Sequence, residues 1–265
     1  MKLTVTDRLM VAALLLCITL PLLAQGVYWE STMTGMGMEQ KSQMYYLPKK
    51  FKNVSSSQQG NDISIVRLDQ SKIYNLMPGD KSYSEMSFSD MEGAAKKTGG
   101  EMDARMQEMK KGLESMPPEQ RQMAEQMMGR MMNKSPESPI QVEKTGETKS
   151  ISGFNCTKYV LKQGDKEMAT IWATKDLKEF ESMKDDFREF AKGMMAMNPL
   201  AKSLRDGMQK VEGFPIQTDM AQGMKTVVTK VEKRSIAASE FEIPSGYKKV
   251  KPKFQEGMEN MKEKK

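Results

Sequence analysis

The chain has 265 residues, a net charge of +6 and no histidine, with 38% hydrophobic and 29% charged residues. The lack of histidine removes Ser-His-Asp and Cys-His nucleophilic constellations, His-ligated zinc and the commonest general base. The charges are mixed along the chain instead of forming the basic stripe with stacking aromatics that a nucleic-acid partner needs, so no nucleic-acid binding is expected. Aspartates and glutamates fall in ordinary solvated patterns, and the reading is a non-enzymatic protein without a cofactor. Methionine is the unusual residue, 28 against 9 phenylalanines and 2 tryptophans.

Residues 1–24, MKLTVTDRLMVAALLLCITLPLLA, open with Lys2 and Arg8 and continue into an apolar run that Pro21 interrupts before Ala24. This is the layout of a secretory signal peptide, with cleavage expected after Ala24 and a secreted, periplasmic address. The apolar run falls short of the roughly 20 residues a membrane span needs, and Leu16 stands where a lipoprotein signal carries a small residue before its cysteine. Cleavage would leave 39 basic against 34 acidic residues, a net +5, enough only for weak contact with an anionic membrane surface. Cys156 would then be the single cysteine, so no intramolecular disulfide can form. It alternates with Phe154 and Val160, which predicts a buried structural thiol.

Residues 27–92 read as antiparallel strands: VYWESTMTG, QKSQMYYLPKKF, NDISIVRLD, SKIYNLM and KSYSEMSF, with MPGDK at 77–81 as the clearest turn. In ISIVRLD, Ile63, Ile65 and Arg67 share one face and Ser64, Val66 and Leu68 the other, which predicts one buried face and a partly covered second. The period then changes. Thr98 and Glu101 have capping-box spacing at a helix start, and Met102, Met106, Met109, Leu113 and Met116 fall within about 80 degrees of a helical wheel. Pro117 and Pro118 stop this helix and suit the first turn of another. There Met123, Met127, Met131, Ala124, Met128 and Met132 form a broad apolar face. The helices make a methionine-rich insertion over residues 98–133.

Strands resume in IQVEKTGETKSISGF, NCTKYVLKQ and KEMATIWAT, with a hairpin turn at 163–166. Asp176 and Glu179 suggest another capping box, opening a helix with the stripe Leu177, Phe180, Met183, Phe187, Phe190 and Met194. A shorter helix over Leu200, Leu204 and Met208 closes the helical region 176–210. GFPIQTDM, MKTVVTKVEKRSI and SEFEIP read as the last strands, before a charged tail at 251–265 with a frayed helix. The order of elements lacks the regular alternation of a parallel sheet. It predicts an α+β fold with a single domain over 25–250: a curved antiparallel sheet whose concave face helical insertions cover.

The segments YYLPKKFK, IYNLMPGDKSYSE, TKSISGFNCTKYVL, IWATKDL, GFPIQTD and FEIPSGY together resemble a family of secreted bacterial domains of unknown function, DUF4412, over residues 27–247. That family is similar to the periplasmic lipoprotein carriers LolA and LolB, whose cavity takes acyl chains. The resemblance implies a LolA-like half-open barrel, helices plugging its mouth and a hydrophobic cavity between them. It brings no catalytic residues.

Three readings of the methionine stretch follow. Methionines can fill the interface between helices and sheet, because their unbranched thioethers adapt to irregular gaps. They can line a cavity for a lipid acyl chain or another apolar small molecule. The candidate lining is then Met102, Met106, Met109, Leu113, Met123, Met127 and Met131, with Phe180, Phe187, Trp29 and Trp172, although both tryptophans sit in strands and suit core anchors first. The third reading is copper(I) or silver(I) held by thioethers, with Met123 and Met127, or Met128 and Met132, at i,i+4 spacing. No histidine joins them, so no metal site is assigned. Oligomeric state and ligand identity are not legible in the sequence.

Overall fold

A computed structural model describes residues 23–57, 60–114, 117, 120–121, 139–194 and 206–252. The expected signal peptide up to residue 22, the second methionine helix with Met123, Met127, Met128, Met131 and Met132, and the helical tail lie outside the described residues.

Among the described residues twelve strands form one sheet: β1 (Leu23–Gly35), β2 (Met38–Leu47), β3 (Lys50–Ser57), β4 (Gly60–Arg67), β5 (Lys72–Met77), β6 (Ser82–Ser87), β7 (Gln141–Ile151), β8 (Phe154–Gln163), β9 (Lys166–Thr174), β10 (Phe214–Met220), β11 (Lys225–Ala237) and β12 (Lys248–Val250). Their spatial order is β12, β6, β5, β4, β3, β2, β1, β11, β10, β9, β8, β7. β7 and β12 lie at opposite ends of that order, so the curved sheet is not closed. Every pairing is antiparallel except β12 against β6. The two meanders, β1 to β6 and β7 to β10, meet because β11 returns along nearly the whole of β1, from Leu23 opposite Ala237 to Thr34 opposite Lys225. Ala24, the expected cleavage residue, lies in this ladder opposite Ile236.

Several boundaries differ from the sequence reading. QKSQMYYLPKKF is not one strand but the end of β2, a turn at Pro48–Lys49 and the start of β3. The polar stretch KNVSSS continues as strand because β2 and β4 satisfy its backbone on both sides. SEFEIP is not a strand either. Ala238–Phe241 forms a single 3-10 turn, and Phe241 docks on the sheet instead of extending it. At 77–81 and 163–166 turns form as predicted, the first as a 3-10 turn over Pro78–Asp80.

Helix α1 (Phe88–Glu114) begins ten residues before Thr98. The Ser87 hydroxyl accepts from the Asp90 N–H at 3.0 Å, and the Asp90 carboxylate accepts from the Ser87 N–H at 3.2 Å. This is a reciprocal cap with Asp in place of Glu, and hydrogen bonds from the Ser87 hydroxyl, at 2.6 Å, and from its N–H hold the Asp90 carboxyl below its usual range. The Thr98–Glu101 spacing lies mid-helix. Helix α2 (Glu179–Met194) also starts later than Asp176. The Asp176 carboxylate instead accepts from the Asn155 N–H at 3.2 Å, and Glu179 pairs with Lys233.

Both faces of the sheet are covered over the β2–β5 region, because consecutive residues point to opposite sides. On one side Tyr46, Phe51, Val66 and Ile73 belong to the cluster that receives α2. On the other, Leu47, Ile65, Leu76 and Ile236 receive Phe241. The mixed pattern of ISIVRLD is thereby explained: Ile65, Val66, Arg67 and Leu68 are all buried. Arg67 is tolerated inside because Asp69 grips it at two distances of 2.8 Å and Glu242 at 2.7 Å, which meets the charge and geometry a guanidinium requires.

Two helical methionines behave as core filling. Met91 on α1 and Met183 on α2 are 3% and 1% exposed. At the opposite extreme, Met36 in the β1–β2 turn and Met38 at the start of β2 are 74% and 59% exposed. Gly35 (φ +144°) precedes Met36 where an added Cβ would lie 2.6 Å from the Gly223 carbonyl, so the β10–β11 turn packs directly against this tip. Thioether oxidation follows accessibility. Under limiting hydrogen peroxide, peptide mapping is expected to show sulfoxide at Met36 and Met38 before Met91 and Met183. Equal rates at all four would contradict the burial described.

Candidate apolar groove between helix and sheet

The stripe predicted on α2 forms over Phe180, Met183, Phe187 and Phe190, while Leu177 precedes the helix and the side chain of Met194 lies outside the described ones. Met183 is buried, and Phe180, Phe187 and Phe190 pack against the cluster that contains Trp29 and Phe214. The rings run in sequence from sheet to helix and back. Phe187 lies 4.9 Å from Phe51 and 6.1 Å from Trp29, Trp29 lies 5.7 Å from Phe214, and Phe214 lies 5.2 Å from Phe180. Tilted and edge-on contacts in this range are favourable beyond the area they bury.

The middle of α2 is fixed by Asp186, which is 5% exposed. Its carboxylate accepts from the Tyr46 hydroxyl at 3.0 Å and the Lys49 N–H at 2.7 Å, and pairs with the Lys49 ammonium at 2.9 Å. Burial alone would raise this carboxyl, but those three donors outweigh it and hold it below its ordinary value. Burial, and then the contact with Asp186, push the Tyr46 hydroxyl up.

Between α2 and the strands lies a groove of about 590 Å³. Phe180, Phe187, Phe190 and Ala191 of α2 form one wall; Trp29, Phe214, Ile216 and Val228 of the sheet form the other. Met208 and Val211 complete the apolar lining, and Ser31, Thr218 and Thr226 add small polar groups. Lys184 and Arg188 lie on its border, Arg188 paired with Asp185 at 2.6 Å. At Gly213 the backbone has φ +92°, and an added Cβ would lie 2.2 Å from the Thr174 carbonyl oxygen, so only glycine lets the chain pass here between the helix and β10. A bulge between Pro215 and Gln217 adjusts the register of β10 immediately afterwards.

Of the predicted lining, Trp29, Phe180 and Phe187 come together on this groove. Trp172 does not line it; the residue pairs with Lys158 and Gln217, and the Lys149 ammonium sits 4.0 Å from its ring centroid, an interaction of cation–π type. Leu113 is buried, and Met109 is 57% exposed. The side chains of Met102 and Met106 lie outside the described ones, as do Met123, Met127 and Met131. Phe214, Ile216 and Val228 were legible only as strand residues. The available signal was Gly213 before the apolar strand FPI, which marks a close backbone approach.

Cys156 is fully buried, and burial pushes its thiol up, away from the thiolate that nucleophilic chemistry needs. Among the described residues no cluster of three or more Cys, Asp or Glu side chains is placed to hold a metal ion. No helix among them is long and apolar enough to cross a membrane.

The observed architecture is an open, predominantly antiparallel sheet with few helices. Residues 121–247 match the model of the Domain of unknown function (DUF4412), the family that the strand motifs resemble. No curated protein sequence matches the chain. Among solved structures, an uncharacterized conserved protein from Thermus thermophilus aligns over 85% of this chain and 90% of its own, at 7% identity and a TM-score of 0.44. The MucA/MucB complex of Pseudomonas aeruginosa supplies a chain that aligns over 82% of this one and 55% of its own, at 7% identity and a TM-score of 0.38. PNGF-II aligns over 89% of this chain and 32% of its own, at 10% identity and a TM-score of 0.37. Likenesses this low say nothing about what the chain binds.

Proposed function

We propose that this is a secreted, periplasmic, non-enzymatic domain that binds an acyl chain or a comparable apolar segment between α2 and the sheet. The observation that carries the reading is the groove itself. Its volume falls within the roughly 300–1,000 Å³ of small-molecule sites, and its walls are aromatic and aliphatic with few polar groups. Burying one methylene contributes about 0.8 kcal/mol. Fifteen methylenes would therefore supply about 12 kcal/mol, and an association cost of about 4 kcal/mol for a preformed site leaves about 8 kcal/mol, an affinity in the micromolar range. In this reading α2 is the helical wall over the concave side of the sheet, and its phenylalanines take the role that the sequence pattern assigns to methionines.

Native mass spectrometry of gently purified protein is expected to show a lipid-sized adduct. N-phenyl-1-naphthylamine is expected to brighten on binding, and Val228→Trp, which fills the groove, is expected to weaken that binding about tenfold or more, the loss of roughly two methylenes' worth of contact. Absence of any adduct together with an unchanged probe signal in the folded variant would refute the reading.

A further inference from the structure

A second, smaller pocket of about 320 Å³ adjoins the groove, and the two share Lys184 and Gly213. Its chemistry is different. Lys175, Lys178 and Lys184 surround it, with Glu181 and Glu212 as its carboxylates. Glu212 is already committed: Lys175 lies 2.6 Å from it and Lys144 3.0 Å, and these two ammonium groups pull its carboxyl down to about 2. Glu181 stands 3.9 Å from Lys184, a loose pair with its carboxylate 70% exposed. Among the described residues Lys178 forms no salt bridge. Lys178 and Lys184 thus have only the loosely held Glu181 between them, which leaves one unbalanced positive charge beside them at the end of an apolar groove.

Building on the acyl-chain reading, we propose that the ligand is a single-chain anionic amphiphile whose carboxylate or phosphate headgroup sits at Lys178 and Lys184 while its chain enters the groove. The placement is chemically consistent. An apolar cleft accepts any hydrocarbon, so selectivity must come from the polar group at its mouth. Lys178 immediately precedes α2 and Lys184 lies within it, six residues apart, and Lys184 lines both spaces. Partly exposed ammonium groups keep their charge and bind anions as point charges without demanding one geometry, which suits either headgroup. Neutral glycerides would gain the groove but not the pocket.

The test uses displacement of N-phenyl-1-naphthylamine, a neutral probe, from the protein at low salt and pH 8. The competitors are palmitate, monopalmitoyl lysophosphatidic acid and monopalmitoylglycerol below their micellar concentrations. Both anionic lipids are expected to displace the probe at about fivefold lower concentration than the glyceride, the upper end for an exposed ion pair. That advantage should shrink with added salt. In the Lys178→Gln/Lys184→Gln variant it is expected to vanish, all three lipids then displacing the probe at the same concentration. Stronger displacement by palmitate identifies a carboxylate as the headgroup, and the reverse order a phosphate. Equal displacement by all three lipids from the wild type, or a preference that persists in the double variant, overturns the proposal and leaves the acyl-chain reading standing. Failure of every lipid to displace the bound probe overturns both.

Discussion

Phe241→Ala is expected to lower the free energy of unfolding by about 3–5 kcal/mol, the range for truncating a buried phenylalanine. The ring is 1% exposed among Leu47, Ile65, Leu76 and Ile236, residues of three strands of the first meander and of β11. Its removal leaves a cavity on the side of the sheet away from α2. The segment that carries it cannot easily close that gap. The buried Arg67 guanidinium donates to the Phe241 carbonyl at 3.4 Å and to Glu242 at 2.7 Å, and Lys52 reaches Glu240 at 2.6 Å. Urea denaturation followed by circular dichroism measures the change. A loss below about 1 kcal/mol, the size of an ordinary surface substitution, would mean that the 3-10 turn is not docked as described. Because the groove lies on the other side, probe binding by the folded variant should be unaffected.

Asp186→Ala is expected to cost about 2–3 kcal/mol and, unlike Phe241→Ala, to disturb the groove. The substitution strips acceptors from the Tyr46 hydroxyl and the Lys49 N–H at once, and each buried donor left without a partner costs about 1–3 kcal/mol. The Lys49 ammonium keeps Glu189 at 2.8 Å and its side chain is 47% exposed, so its loss of Asp186 adds little. Released at its middle, α2 should hold Phe187 and Phe190 less firmly, and probe affinity should fall along with stability. Asp186 also predicts a pH dependence. Its folded-state carboxyl lies below the ordinary value of 3.8, so its contribution is fully present above that value and is lost as pH falls through the folded one. The wild type should therefore lose more stability than Asp186→Asn between neutral pH and pH 3. Parallel acid profiles of the two proteins would remove the carboxylate from this role.

Much of the strand content was legible because hairpin chemistry is local. Pro78, Gly79 and Asp80 announce the turn between β5 and β6, and Gly164 with Asp165 the one between β8 and β9. The apolar stripe of α2 was legible for the same reason: its spacing survives intact in Phe180, Met183, Phe187 and Phe190. Helix starts were less so. Thr98–Glu101 and Asp176–Glu179 both have cap spacing, yet the Ser87–Asp90 cap takes α1, and Asp176 turns to the backbone of β8. A cap motif names side chains that can hydrogen-bond, and neighbouring backbone decides which of them do.

The amino-acid sequence by itself determined the alternation of strand and helix, most turns, the buried thiol at Cys156 and the apolar face of α2, because each depends on residues within a few positions of one another. The tertiary structure decided what those faces meet. It set β11 along β1 across two hundred residues of chain, placed β12 parallel to β6, seated Phe241 behind the sheet and joined Trp29, Phe187 and Phe214 around one groove. Pairing between distant segments follows from the total surface they bury together, and no local period records it.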